Sequence, residues 1–152
     1  FRTAYIIKTA ITIRTHRLIS WGLAVLATCV LCHNENRQHL FFDCDFSRQV
    51  WSFFTSRLQL VPPSLFEDGL RWLKNPSRKK NVKLIVRLLH QACLYLIWKE
   101  RNSRVHTDVA RPPEAIIAEI KQIIRLRLDL LARAQTLAHG EDLVLAVWFS
   151  IF

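Results

Sequence analysis

The chain has 152 residues, 51% of them hydrophobic, with 3 glycines, 5 prolines and 4 cysteines. That is long enough for one domain with a real core and too apolar for a disordered segment. The formal charge of +10, from 22 Lys and Arg against 12 Asp and Glu, disfavours basic partners and points to a polyanion, of which nucleic acid is the commonest. Met is absent and the first residue is Phe, so the sequence reads as an internal portion of a longer chain.

The charge is unevenly spread. No acid precedes Glu35, whereas residues 71–104 hold ten Lys and Arg against Glu100 alone, a net of +9. The stretch Leu18 to Cys32 is 15 residues without a charge, short of the roughly 20 that cross a bilayer. No membrane span is expected. Leu, Ile, Ala and Arg dominate over turn residues, which favours helices over a many-stranded sheet.

In chain order, residues 3–17 read as a helix with Ala4, Ile7 and Ile11 on one side, although Thr and Ile also suit a strand. Residues 18–44 read as a loop around the cysteines. Asp45 or Ser47 is expected to cap a helix through RQVWSFFTSRL, with Val50, Phe53, Phe54 and Leu58 facing inward. VPPS breaks it, since proline offers no amide donor. Ser64, three residues before Glu67, has the capping-box spacing and is expected to start a short helix.

After NPSRKK the longest helix is expected over residues 77–106. Ile85, Leu89, Ala92 and Leu96 form its apolar seam, and Lys79, Lys83, Arg87 and His90 fall on another face as a basic stripe. ARPPE then starts a further helix with Glu114 in its first turn, running to about Ala138. Ile116, Ile120, Ile124, Leu128 and Leu131 are its expected inner face, with His139 and Gly140 as the stop. A last apolar piece, LVLAVWFSIF, should pack onto the rest. The expected fold is mainly α: a helical domain with one small zinc-knuckle loop near the N-terminal end. Residues 1–106 form the domain (knuckle 29–44, basic helix 77–106), and residues 107–152 form a C-terminal helical tail.

Three of the four cysteines lie between Cys29 and Cys44, in the pattern Cys29-x2-Cys32-x6-His39-x4-Cys44. Two residues between cysteines make a turn that brings two thiolates onto one ion, and His39 and Cys44 can supply the other two donors. A Cys3His set is a closed tetrahedral zinc site with no position for a catalytic water. His33 is a possible substitute ligand. Cys93 falls on the apolar side of the long helix and reads as a small buried hydrophobe. His16, His90, His106 and His139 are isolated and read as surface or capping residues. Phe41 and Phe42, beside the knuckle, are either core or a pair able to stack on unpaired bases.

RTHRLISWGL, CVLC, HLFFDC, VW and LIWKERNSRVH resemble, in this order, the reverse transcriptase zinc-binding domain of plant LINE-type (non-LTR) retrotransposons. The resemblance spans about Thr15 to His106. It implies Cys29, Cys32, His39 and Cys44 as zinc ligands in a helical domain that binds the element's RNA or target DNA. It also implies the polymerase portion of the same element as a partner and a nuclear location. Arg71, Lys74, Arg78, Lys79, Lys80, Lys83 and Arg87 are the expected phosphate-binding residues. No paired-aspartate polymerase motif and no endonuclease constellation is visible, so a non-catalytic binding module is expected. The alternative is a structural or protein-interaction tail of a degenerate retroelement that does not bind nucleic acid.

Overall fold

A computed structural model describes residues 31, 38–107, 109–135 and 142–152. Among the described residues there are helices and no strands, as the mainly α expectation required. A π-turn, His39–Asp43, leads into α1 (Asp45–Arg57). Then come α2 (Phe66–Trp72), α3 (Lys80–His106), α4 (Pro113–Arg133) and α5 (Val144–Ile151). The expected element over residues 3–17 lies outside the described residues, as do His16, His33 and His139.

The core forms where the periodic apolar stripes meet. On α4, Ile116, Ile120, Ile124 and Leu128 recur every fourth residue and are at most 1% exposed. They pack against α1, α3 and α5, which makes α4 the central helix. The facing residues are Val50 and Phe54 of α1, Ile85, Leu89, Leu96 and Ile97 of α3, and Val144 and Trp148 of α5. Burying each such side chain contributes about 1.5–3 kcal/mol, which is why short segments with modest propensity stay helical here. Cys93 lies in this core as expected, and burial pushes its thiol pKa far up.

Several boundaries differ from the sequence reading. Neither Asp45 nor Ser47 caps α1: Cys44 is the N-cap, and the buried Ser47 hydroxyl donates to the Leu40 carbonyl instead. Ser64 does not open a capping box. α2 starts at Phe66, and its first amide donates to Oε1 of Gln38, 28 residues away, at 2.8 Å. α3 starts at Lys80 rather than 77, and α4 ends at Arg133 rather than near Ala138. Leu131 is 42% exposed, because by then the stripe has rotated off the core. The segment before Cys44 is not all loop, since residues 39–43 close a π-turn.

α1 ends in a Schellman arrangement. Leu60 N–H donates to Thr55 O and Gln59 N–H to Ser56 O, both at 3.0 Å. This requires φ of +53° at Gln59, a conformation glycine adopts more easily.

Two buried polar features organise α3. Glu100 is fully buried. Its Oε1 accepts from Arg104 Nε and from the Arg111 amide, each at 2.8 Å, and its Oε2 from Arg111 Nε at 2.9 Å. Arg111 continues to Glu119 at 2.6 Å, and Lys99 reaches the other Glu119 oxygen at 3.5 Å. This network closes the turn between α3 and α4. Burial raises the Glu100 pKa, but the bonds from Arg104 and Arg111 outweigh it and hold the group below its ordinary value. His90, expected on the basic stripe, is instead 6% exposed and packs edge-on against Trp51, with ring centres 5.6 Å apart. Burial lowers its pKa to about 4. His90 Nε2 and Trp51 Nε1 find no hydrogen-bond partner among the described residues.

Candidate metal centre and nucleic-acid interface

The segment HLFFDC is shaped by where its side chains go. Leu40 and Phe41 are buried, 0% and 4% exposed, and turn inward together. The backbone accommodates them by widening one turn, with Cys44 N–H donating to His39 O at 2.7 Å across five residues. Gln38 pins the start of this turn, donating to Ser64 O at 2.8 Å and accepting from Phe66 N, and Ser47 pins it from the other side. Phe42 is half-buried, edge-on to Phe66 at 5.8 Å and 3.3 Å from the position a Cβ would take on Gly69. Phe41 is core and offers no free face to a base, which corrects the stacking option for that residue.

His39 and Cys44, the two expected ligands that are described, therefore stand at the two ends of a single turn. His39 is half-buried and Cys44 fully buried at the N-cap of α1, where the positive end of the helix favours negative charge. An imidazole and a sheltered thiol held this way are donors zinc prefers. Cys29 and Cys32 lie outside the described residues. Leu31, between them, is half-buried and packs against the same core cluster that contains Cys44. Among the described residues, no group of three or more His, Cys, Asp or Glu side chains is placed to hold a metal. The residues present fit half of a Cys3His zinc set.

The expected phosphate-binding residues divide into two groups. Arg78, Lys79 and Lys80 are exposed and Lys83 half-buried, all at the start of α3. That helix has no acid in its first turn and no side-chain cap, so its first amides and four cations share one end. Cations at a helix N-terminus oppose the macrodipole, typically by 0.3–1 kcal/mol each. Their placement does not serve the stability of α3.

Arg87 is different, donating through Nε to Leu73 O at 3.0 Å and through Nη2 to Lys74 O at 2.5 Å. It satisfies the carbonyls of the two residues that follow α2 and ties the end of that helix to α3. Arg71 is exposed and pairs with Asp68 at 2.8 Å, and Lys74 is exposed beside the carbonyl that Arg87 holds. Sequence reasoning missed the Glu100 network. Its one signal was a single acid among ten cations.

Among the described residues no helix is long and apolar enough to cross a membrane. No curated protein and no solved structure matches the chain. The N-terminal segment does find a relative: residues 3–51, which contain Cys29, Cys32, His39 and Cys44, match the family described as zinc-binding in reverse transcriptase.

Proposed function

We propose that the chain is a zinc-stabilised, non-catalytic module that binds nucleic acid, derived from a non-LTR retrotransposon polyprotein of the plant LINE type. Zinc, held by Cys29, Cys32, His39 and Cys44, supplies a structural cross-link in the N-terminal segment. The family match over residues 3–51 supports the zinc reading. The observation that carries the nucleic-acid reading is the start of α3. Arg78, Lys79, Lys80 and Lys83 crowd an uncapped helix N-terminus and have no carboxylate partner among the described residues. Backbone phosphates would relieve the cation repulsion and accept from the first amides of α3. RNA or DNA is bound with weak sequence preference, beside the polymerase portion of the same element and in the nucleus.

The test is fluorescence anisotropy of a labelled 12-nucleotide single strand against salt. Four phosphate contacts at about −0.7 each give a log–log slope of roughly −3. Reversing charge at Lys79, Lys80 and Lys83 should weaken every sequence alike and bring the slope near −1. Arg87 is left intact because it holds the end of α2. Absence of salt-sensitive binding in the wild type would replace this reading with that of an interaction tail. A specific feature favours that second reading: Leu126 and Leu130, one turn apart on α4, are both exposed.

A further inference from the structure

α4 and α5 leave between them an open groove of about 460 Å³. One wall is aromatic. Trp148 is buried and stacks on Phe152, with ring centres 4.4 Å apart and planes inclined by 33°. Phe149, next to them, is 60% exposed. The other wall comes from α4 and carries Lys121, Gln122 and Arg125. Lys121 donates to Phe152 O at 3.4 Å, which holds its ammonium at the rim. Arg125 is exposed and has no acidic partner among the described residues. Among the described residues, no Asp or Glu side chain lines the groove. Phe149 and Leu126, both 60% exposed, line the same groove and make its apolar wall a patch rather than a lone exposed ring, with Arg125 beside it.

We infer that this groove is a base-stacking site for single-stranded nucleic acid, with Phe149 as the platform, Arg125 and Lys121 as phosphate contacts, and Gln122 facing the base edge. The rim offers Arg125 and Lys121 to an anion and the wall accepts a flat ring. A nucleotide joins the two in one unit, whereas an acidic peptide carries charge and ring on separate residues. The site rests on the nucleic-acid reading above but uses none of its residues.

The experiment uses the whole chain, a labelled 12-nucleotide oligo(dT), and a blunt-ended 12-base-pair duplex as control. Phe149→Ala should weaken oligo(dT) binding about five- to a hundredfold, the range for loss of one stacked base. The salt slope and the duplex affinity should stay as in the wild type. Phe149→Trp should retain binding, and Arg125→Gln should flatten the slope by about 0.7, one phosphate. Phe149 is exposed, so circular dichroism of the variants should match the wild type. Unchanged oligo(dT) affinity in Phe149→Ala, with the wild type still binding, would overturn the groove assignment and leave the α3 reading standing. Equal loss for single strand and duplex would also overturn it, since a duplex has no free base to stack. Unchanged oligo(dT) binding together with loss of an acidic amphipathic peptide would give the groove to a protein partner. No binding by the wild type would remove both readings at once.

Discussion

Replacing Glu100 by Gln isolates the charge at the centre of the fold. The amide keeps one oxygen, and placed where Oε1 now sits it can still accept from Arg104 Nε and the Arg111 amide. At the Oε2 position an NH2 group then meets Arg111 Nε, now 2.9 Å away, and two donors face each other. One charge-assisted bond is lost, at about 1.5–3 kcal/mol. Arg104 and Arg111 lose their counter-charge, but at 18% and 32% exposed they recover part of it from water. The expected cost is about 2–3 kcal/mol, or a fall in melting temperature of about 5–10 °C for a domain of this size. Glu100→Ala removes all three bonds and should cost about 3–5 kcal/mol. Urea and thermal unfolding followed by circular dichroism at several pH values read both. Because the folded pKa of Glu100 lies below its ordinary 4.5, the unfolded chain takes up the proton first as pH falls. The stabilisation is therefore complete above that value and lost below it, so the gap between wild type and Glu100→Gln should close on acidification. A gap within 0.5 kcal/mol of zero at pH 7, or one that widens below pH 4.5, would refute the reasoning.

Cys32→Ser should sharply lower bound zinc and Cys93→Ser should not, because Cys93 is enclosed in the apolar core; equal metal content in both would dismiss the ligand assignment. His90 is neutral in the fold down to about pH 4, against an ordinary 6.5, so stability should fall as pH drops between those values, by about 2 kcal/mol at pH 5. His90→Leu should remove that slope, and urea titrations at pH 7 and 5 that show the same slope in both proteins would contradict it. Gln59→Gly should raise stability by about 0.5–1 kcal/mol by relieving the left-handed backbone at the end of α1; a lowered urea midpoint would argue against the Schellman arrangement. Ile120→Ala should cost about 2–5 kcal/mol, since the residue is 0% exposed at the centre of α4. A loss under 1 kcal/mol in the same titration would mean that α4 is not the central helix.

The sequence by itself determined the helices and their inner faces. Residues recurring every third or fourth position state which side is apolar without any partner being known, and Val50, Ile85, Leu89, Leu96, Ile116, Ile120, Ile124 and Leu128 are all buried as that periodicity implied. The breaks at VPPS, NPSRKK and ARPPE also mark the gaps between helices, the last two running into the first residues of α3 and α4, because proline's missing amide acts locally. The spacing of Cys29, Cys32, His39 and Cys44 singled out a candidate metal segment, which lies inside the stretch that matches the zinc-binding family, for a similar reason: ligand number and chain reach are properties of a short stretch. Tertiary structure decided what each polar side chain meets. Glu100 receives Arg111 from beyond the next turn, Arg87 turns from the stripe to the carbonyls that follow α2, His90 goes under Trp51, and Gln38 replaces Ser64 at the start of α2. A long polar side chain can reach several partners, and which of them lies close enough to meet it depends on how the helices pack; residues 11 to 39 apart in the chain are brought together only by the shared core.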